Sequence, residues 1–382
     1  MTQISIPPLS QLRTRTSAKW RTFADDVLPL PVAEMDFDLA HPIRDKLIAL
    51  INNSDTGYGG IIPELGQSFA RYSAQHWGWN VDPEQFRLAN DVGVAGIEVL
   101  RVVTAPGDAI VVNTPVYLNF QTWIAEADRT LLDVPLIDRG NGVWDLDFDG
   151  LEKAFASGAT AYLLCNPHNP VGTVFCQEHL EIVAALAKKY NVVVISDEIH
   201  APLNYTNTPF MPYLNVNDDA RETGVCITSA SKSWNLAGLK CAQIITDNSA
   251  MNLRLDALPK SVPWRASILG AWASVAAYDD GQPWLDAVMQ QLRSNRDYLA
   301  EELPKFLPKA VYFKPESTYL AWIDLAAYNQ EDPAEFLLEK ARVALSPGKE
   351  FGPNAHNYIR LNFATSQDNL AQALKQMADV LE

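Results

Sequence analysis

The sequence predicts an α/β protein with two packed domains, and three observations support this class. Between residues 88 and 246, short apolar strands alternate with helical segments, which is typical of a mostly parallel sheet covered on both faces. From about residue 285, helices and strands follow in a different order, which indicates a smaller α+β domain. The chain has 382 residues, of which 48% are hydrophobic, enough for a large buried core.

The predicted elements follow in order along the chain. The first forty residues are rich in proline and lack a long helical period, so we expect an extended arm and a turn. Residues 42–52 carry apolar side chains at helical spacing. Predicted strands cover residues 109–112, 161–164, 192–195, 225–227 and 242–245, with a helix at 178–189. The C-terminal part predicts helices at 284–306 and 333–341 and strands at 318–323 and 358–363.

These elements predict three units: an arm with part of the small domain (1–45), a large domain (46–284) and a small domain (285–382). The segments between them contain no long Gly/Ser linker, so tight packing of the domains is expected.

The formal net charge of −16 excludes some partners. A nucleic-acid groove or an anionic membrane site requires a basic surface, so we expect neither partner. An anionic ligand would have to be held by local positive charge, because the overall field opposes it.

The cysteines and the apolar runs indicate a cytoplasmic protein. The 4 cysteines include no C-x-x-C pair, and three lie in or beside apolar runs, as expected of thiols in a reducing compartment. No apolar run reaches the ~18 residues that span a bilayer, and the N-terminus has no basic start before an apolar stretch. His41, His76, His179 and His356 are scattered, so no metal site is expected.

Chemistry-bearing residues follow the predicted strands, where ligands bind in open α/β sheets. Lys232 lies in a hydroxyl- and Gly-rich turn after the strand at 225–227. A lysine held in a pocket has a lowered pKa and can form a Schiff base with an aldehyde cofactor such as pyridoxal phosphate (PLP). Lys240, eight residues later, can lower that pKa further and bind a phosphate. A structural lysine in a helix-entry loop is the alternative.

Two further strand ends carry polar side chains. Asp197 follows the strand at 192–195, where a carboxylate can keep a heterocyclic nitrogen protonated or simply cap a helix. Asn169 lies in the loop Asn-Pro-His-Asn-Pro at 166–170, and the two X-Pro steps can hold its amide in the cleft.

Three more positions have both a functional and a structural interpretation. Residues 91–96 contain two glycines before a helical run, so they can form a phosphate cradle or an ordinary loop. Tyr117 can lie over a planar cofactor or belong to the core. Arg360 is a charge inside an apolar strand, and it can bind a substrate carboxylate or form a structural salt bridge.

Three motifs together carry a family resemblance. Residues 166–170, Ser-Asp-Glu-Ile-His at 196–200 and Ser-Ala-Ser-Lys at 229–232 resemble the fold-type I PLP enzymes of the class I/II aminotransferase superfamily. The segments 28–37, 231–235 and 315–322 are similar to its MalY/PatB-like cystathionine β-lyase branch. The resemblance extends from about residue 12 to the end of the chain. Two positions depart from it: this branch usually has tryptophan at the position of Pro31 and often has glycine at the position of Ser317.

The resemblance implies roles for individual residues around PLP. Lys232 corresponds to the Schiff-base lysine, and Asp197 to the partner of the pyridine nitrogen. Asn169 corresponds to the residue that bonds the ring oxygen. His200 stands where aspartate aminotransferases have a tyrosine, and Tyr117 corresponds to the stacking aromatic.

The resemblance also implies phosphate and substrate contacts. The phosphate set comprises the backbone of Val94 and Ala95 with Ser229, Ser231 and Lys240, and Lys240 stands where many aminotransferases have arginine. Arg360, with Asn169 and Ala33, corresponds to the substrate-binding set. Tyr58 corresponds to a tyrosine that reaches the phosphate of the partner subunit, which implies a homodimer with shared active sites.

The implied reaction is α,β-elimination on cystathionine or another S-substituted L-cysteine, giving a thiol, pyruvate and ammonia. Lys232 would remove the Cα proton as a general base. An aminotransferase that acts on an amino acid and a 2-keto acid is the alternative, because the cofactor motifs are common to both. A non-catalytic scaffold is disfavoured, since a binding module needs no lysine–carboxylate pair.

Overall fold

The structure of the protein is a computed structural model that describes residues 4–381. Met1–Gln3, at the start of the predicted arm, and Glu382 lie outside the described residues. The large sheet has the strand order β2-β10-β9-β8-β7-β3-β4. Its strands are β2 (Phe86–Ala89), β3 (Ala109–Val112), β4 (Thr130–Asp133), β7 (Ala161–Cys165), β8 (Val193–Asp197), β9 (Gly224–Thr228) and β10 (Ala242–Ile245). Five adjacent strands, β4, β3, β7, β8 and β9, are parallel, whereas β10 is antiparallel to both neighbours.

Smaller sheets complete the strand inventory of residues 4–381. The C-terminal sheet has the order β11-β12-β15-β14. Its strands are antiparallel: β11 (Val311–Tyr312), β12 (Leu320–Asp324), β14 (Ser346–Pro347) and β15 (Tyr358–Asn362). Two short pairs are β1 (Leu28–Pro29) with β13 (Val343–Ala344) and β5 (Ile137–Asp138) with β6 (Trp144–Asp145).

The helices connect these strands and cover the large sheet. In chain order, the described residues form α1 (Leu9–Leu12), α2 (Ala18–Arg21), α3 (His41–Asn52), α4 (Pro63–Trp77), α5 (Val92–Val103), α6 (Asn119–Glu126), α7 (Phe148–Ala156), α8 (Gln177–Tyr190), α9 (Asp218–Thr223), α10 (Ser249–Leu255), α11 (Ser261–Trp264), α12 (Ile268–Asp280), α13 (Gln282–Phe306), α14 (Pro333–Lys340) and α15 (Gln367–Ala378). None of these helices, all within residues 4–381, combines the length and apolar character that crossing a bilayer requires.

The large sheet is buried on both faces. Every residue of β7, β8 and β9 is buried, and alternate residues contribute to two different apolar cores. Leu163 packs in the core formed with α5, α6 and α10, whereas Tyr162 and Leu164 pack in the core with α4, α8 and α12. Such two-sided burial explains why these strands read as continuous apolar runs.

The structure confirms the predicted α/β class and most element bounds. The strands at 109–112 and 242–245 and the helix at 333–341 are found within one residue of their predicted ends. One boundary matters for the site: β8 ends at Asp197, two residues later than predicted. The carboxylate therefore belongs to the strand itself and is fixed by the sheet.

The N-terminal arm joins the C-terminal sheet region. β1 pairs in parallel with β13, and Leu30 N–H donates to the Ala344 carbonyl at 2.9 Å. This pairing places the arm beside the C-terminal region, and the predicted units of 1–45, 46–284 and 285–382 remain a proposal. The arm also contains the short helices α1 and α2, which the sequence pattern did not predict.

One glycine sets how closely the two domains approach. Gly172 has φ +75°, and a Cβ at this position would lie 2.3 Å from Pro315 Cβ. Its carbonyl accepts hydrogen bonds from the N–H groups of Glu316 (3.0 Å) and Ser317 (2.9 Å). The loop at 166–172 is therefore held against the small domain.

We expect Gly172→Ala to lower the free energy of unfolding by roughly 2–4 kcal/mol, because it adds a steric clash to the left-handed backbone cost. Gly140→Ala is the matched control, since Gly140 has φ +77° and open space around it, and should cost only about 1–2 kcal/mol. Urea unfolding of both variants measures the difference. Equal losses would contradict the close approach at Gly172.

Candidate active site

A cavity of about 510 Å³ lies beyond the carboxyl ends of the parallel strands, between the two sheets. It brings together most of the residues that the sequence predicted. Those that line it are Ala33, Tyr117, Asn169, Asp197, His200, Ser229, Ser231, Lys232, Lys240 and Arg360. Tyr58, Val94 and Ala95 are not among its lining residues.

The Lys232 amine lies inside this cavity. It follows β9, and its Nζ donates a hydrogen bond to the Ala33 carbonyl at 2.9 Å. Burial and then the positive charge of Arg360 lower the pKa of Lys232 to about 8. Lys240 acts in the same direction, as the sequence suggested, but less strongly than Arg360. An amine with such a pKa is partly neutral near pH 7–8 and can act as a base or nucleophile.

Asp197 presents a buried carboxylate to the same cavity. Its side chain accepts one hydrogen bond, from the Ile199 N–H at 3.2 Å. Burial raises the pKa of Asp197 to about 7, against the smaller opposing effects of that bond and of Lys232. A cationic group placed against this carboxylate would hold it ionised, which makes the position suitable for a protonated ring nitrogen.

Arg360 extends from the small domain to the cavity wall. Its Nη1 donates to Asn169 Oδ1 at 3.1 Å, and its Nη2 donates to the Pro31 carbonyl at 2.9 Å and to Ser346 Oγ at 3.1 Å. Its Nε is buried without a partner among the described residues. Burial lowers the pKa of Arg360 to about 10. This guanidinium has no carboxylate partner within residues 4–381, so it remains available to an anionic ligand.

Aromatic and imidazole rings line two further walls. Tyr117 is half-buried and contacts Trp123 edge-on, with ring centroids 6.0 Å apart. Asn119 Nδ2 donates to the Tyr117 hydroxyl at 2.6 Å. His200 is buried, and its Nδ1 has no partner among the described residues. Burial, with the charges of Lys232 and Arg360, lowers the pKa of His200 to about 3, so the ring is neutral.

The start of α5 offers free backbone N–H groups, but at different residues from those predicted. Asp91 caps this helix, and its side chain accepts from the Val94 N–H at 2.9 Å while its carbonyl accepts from the Ala95 N–H at 3.0 Å. The N–H groups of Val92 and Gly93, which line the cavity, donate to no described residue. The cap at Asp91 therefore moves the candidate cradle two residues toward the N-terminus.

The candidate phosphate side also contains hydroxyl groups and one cation. Ser229 is buried, and its Oγ donates to the Cys241 carbonyl at 2.6 Å and accepts from the Ser231 N–H at 3.1 Å. Lys240 Nζ lies 2.9 Å from Asp91 Oδ2 in an exposed ion pair. Such a pair is weak, so an anion can compete for the ammonium group.

Tyr58 lies on the surface of the chain. Its side chain is 86% exposed and contacts Trp264 edge-on, with ring centroids 6.3 Å apart. Ile61 beside it is 92% exposed. This location agrees with the expected role only if Tyr58 serves the site of another subunit.

Sequence reasoning assigned no role to three residues that the fold brings to the site. Ser346 Oγ donates to the Pro31 carbonyl at 3.0 Å and accepts from Arg360. The Tyr319 hydroxyl donates to the Ala33 carbonyl at 3.0 Å, and Asn235 contacts the backbone of Met35. Asn235 is part of the motif that carried the resemblance, whereas Ser346 has no local signal.

Comparison with known proteins places this geometry in a family. The model of aminotransferase class I and II matches residues 25–377. The chain belongs to this aminotransferase class I and II family. A cystathionine beta-lyase of Corynebacterium glutamicum is 36% identical, and the match covers 98% of this chain and 99% of that relative.

Solved structures of the aminotransferase family agree with the fold. A Corynebacterium diphtheriae protein superposes with a TM-score of 0.94 at 34% identity, over 99% of each chain. The PLP-bound C-S lyase from Staphylococcus hominis superposes with a TM-score of 0.90 at 26% identity, over 97% of this chain and 96% of that chain. The predicted resemblance and the fold-type I architecture are thereby confirmed.

We expect Asp197→Asn to change the pH dependence of stability in the PLP-free protein. The folded-state pKa of Asp197, about 7, is above the unfolded value of about 3.9, so the native state loses stability as pH rises between these values. Asparagine removes this loss. The free energy of unfolding of the variant minus that of the wild type should therefore be about 2–3 kcal/mol higher at pH 8 than at pH 5, so the variant is relatively more stable at pH 8.

Urea unfolding at the two pH values measures this difference. Asp247→Asn is the control, because Asp247 is exposed and its substitution should give the same relative stability at both pH values. A pH-independent effect at Asp197 would show that this carboxyl is not buried as described.

Proposed function

We propose that this protein is a PLP-dependent carbon–sulfur β-lyase that cleaves cystathionine or other S-substituted L-cysteines to a thiol, pyruvate and ammonia. One observation carries the proposal: a lysine amine, a buried carboxylate and a buried guanidinium line the same cavity. The relatives named cystathionine beta-lyase and C-S lyase favour elimination over transamination. The PLP-bound relative supports the predicted cofactor.

The residues around the cavity suit PLP in charge and in hydrogen-bonding capacity. We assign the phosphate to the free N–H groups of Val92 and Gly93, with Ser229, Ser231 and Lys240 beside them. Three amide or ammonium donors match the acceptor oxygens of a phosphate. The two N–H groups that the Asp91 cap leaves free are the observation that fits, because N–H groups at a helix N-terminus otherwise require water or a capping side chain.

The ring of the cofactor has matching partners on the other walls. Asn169 Nδ2 donates to no described residue, because its contact with Arg360 uses Oδ1, so it can donate to the ring oxygen. The neutral His200 lies in the same cavity, and Tyr117 can stack on the ring. Asp197 would pair with the ring nitrogen, and Lys232 would bond the aldehyde carbon. When bound, PLP stabilises negative charge at the substrate Cα by spreading it into its protonated ring.

Lys232 is the proposed proton acceptor. Once the substrate amino group has replaced Lys232 on the aldehyde carbon, the lowered pKa would leave part of the free amine neutral near pH 8, so that Nζ could take the proton from the substrate Cα. The adjacent Ala33 carbonyl accepts a hydrogen bond from the ammonium group that results. A thiolate leaving group on the substrate Cβ then departs with the electrons of the Cβ–S bond.

Arg360 is the proposed anchor for the substrate α-carboxylate. Its two Nη atoms are oriented by Asn169, Pro31 and Ser346, so the fork is fixed before a ligand arrives. A bound carboxylate would supply the counter-charge that the buried guanidinium lacks. Ala33, on the same segment as Pro31, lines the cavity between Arg360 and Lys232 and remains in the proposed substrate-binding set.

The first test adds L-cystathionine to the PLP-loaded protein without any 2-keto acid. We expect steady release of pyruvate and thiol, measured with lactate dehydrogenase and a thiol reagent. Lys232→Ala should abolish both this turnover and the visible absorbance of the bound cofactor, while Lys375→Ala, at an exposed position of α15, should retain them. A single stoichiometric conversion of the cofactor to its amine form, with no steady release, would instead identify an aminotransferase.

We also propose that the protein forms a homodimer in which the active sites are shared. The exposed apolar patch of Tyr58, Ile61 and Trp264 supports it, because side chains of this type are enriched in interfaces. In this arrangement Tyr58 would reach the cofactor phosphate of the partner subunit. The location that we propose is the cytoplasm, which agrees with free thiols at Cys165, Cys176, Cys226 and Cys241.

A mixing experiment tests the shared site. Tyr58→Ala and Lys232→Ala should each be inactive or severely impaired alone. If Tyr58 serves the partner subunit, a dissociated and reassociated equal mixture should recover about a quarter of wild-type activity, because half of the dimers are mixed and each has one intact site. No recovery, in a mixture shown by mass spectrometry to contain mixed dimers, would place Tyr58 outside the partner's site.

A further inference from the structure

The segment from Pro31 to Met35 presents a row of accepting carbonyls, and its first three residues line one wall of the cavity. The Pro31 carbonyl accepts from Arg360, and the Val32 carbonyl accepts from Asn362 at 2.6 Å. The next three carbonyls also accept hydrogen bonds from side chains. The Ala33 carbonyl accepts from Lys232 and Tyr319. The Glu34 carbonyl accepts from Asn362 and Lys19, and the Met35 carbonyl accepts from Asn235. The side chains of two domains thus converge on one stretch of backbone.

Asn235 lies on the same turn as Lys232 and contacts the same segment. Its Oδ1 accepts from the Met35 N–H at 2.8 Å, and its Nδ2 donates to the Met35 carbonyl at 2.9 Å. The residue has φ +59°, a backbone conformation that asparagine tolerates better than most side chains. This turn is therefore joined to the segment at two points, through Lys232 to Ala33 and through Asn235 to Met35.

The far side of the segment is held by a buried ion pair. Lys19 Nζ lies 2.7 Å from Asp36 Oδ1, and the two side chains are 0% and 1% exposed. The Asp36 N–H also donates to the Ala364 carbonyl at 2.9 Å. These contacts hold Asp36, and the paired hydrogen bonds of Asn235 join its neighbour Met35, two residues from Ala33, to the turn that carries Lys232.

We propose that Asn235 is a positioning residue that holds the Ala33 carbonyl as the hydrogen-bond acceptor for the Lys232 amine whenever that amine is free. The proposal rests on the function proposed above only in taking Lys232 as the reactive amine. Asn235 does not touch the reacting atoms and acts through Met35 and Ala33. The Tyr319 hydroxyl donates to the same carbonyl. With Lys232 and Tyr319 as donors, the Ala33 oxygen accepts the two hydrogen bonds that its two lone pairs allow.

The expected consequence is a change in the protonation of Lys232. A carbonyl acceptor favours the ammonium form, so loss of a well-placed acceptor lowers the amine pKa. The other charges that face Lys232 remain in place: Arg360 and Lys240 lower its pKa, whereas Asp197 and Glu34 raise it. During turnover the same acceptor would hold the Lys232 ammonium after it has taken the substrate proton.

The test uses Asn235→Gly, because glycine retains the φ of this position and removes only the paired side-chain bonds. In the PLP-free protein, competitive labelling with acetic anhydride across a pH series, read by mass spectrometry of the Lys232 peptide, gives the amine pKa. We expect a downward shift of about half a unit or more relative to the wild type. When the variant is loaded with PLP, its kcat should fall by a larger factor than its KM rises.

Asn191→Gly is the matched control, since Asn191 is an exposed asparagine at φ +57° that ends α8 far from the cavity. It should leave the labelling midpoint of Lys232 unchanged, and the midpoint of Lys375 should be unchanged in every variant. An unaltered Lys232 midpoint in folded Asn235→Gly would overturn the proposal. If that variant does not fold, Asn235→Ser, whose hydroxyl cannot pair with both Met35 groups, is judged by the same midpoint. Because this readout needs no substrate or cofactor, it is independent of which reaction the enzyme catalyses.

Discussion

The constraint on which the site depends is the burial of charged side chains in one cavity. The pKa values of Lys232 and Arg360 are lowered and that of Asp197 is raised, so each shift favours the neutral form of its group. Desolvation is the largest cause of all three shifts. Removing such groups from water is unfavourable unless their charges find partners. The arrangement therefore suits a ligand that brings opposite charges: a ring cation for Asp197 and a carboxylate for Arg360.

The parallel sheet makes this concentration of polar groups possible. Adjacent parallel strands end at the same edge, so Cys165 at the end of β7 pairs with Asp197 at the end of β8, and Lys232 follows β9. Polar groups can be tolerated there because the apolar strand interiors, buried on both faces, hold the backbone rigidly. The packing of two large apolar cores thus offsets the unfavourable burial of polar groups at the edge of the sheet.

The N-terminal segment connects the two parts of the site. Arg360 comes from the C-terminal sheet and Lys232 from the large sheet, yet both donate to carbonyls of the same short stretch, at Pro31 and Ala33. A small displacement of the domains would therefore alter both contacts together. The Asp36 N–H, which donates to the Ala364 carbonyl, and Asn362, which donates to the Val32 and Glu34 carbonyls, also join this stretch to the C-terminal part of the chain.

The sequence by itself determined the α/β class and most strand positions, and it picked out Lys232, Asp197, Asn169 and Arg360, which the structure brings to one cavity. These features are local: buried parallel strands read as apolar runs, and a charge that interrupts or ends such a run stands out. The helix start shows where local reasoning fails, since the capping geometry of Asp91, rather than the glycine pattern, leaves Val92 and Gly93 free instead of Val94 and Ala95. Only the tertiary structure decided the contacts of Asn235 with Met35, 200 residues away, and of Ser346 with Arg360 and Pro31. Hydrogen bonds to backbone carbonyls depend on position and not on the acceptor's residue type, so the sequence carries no signal for them.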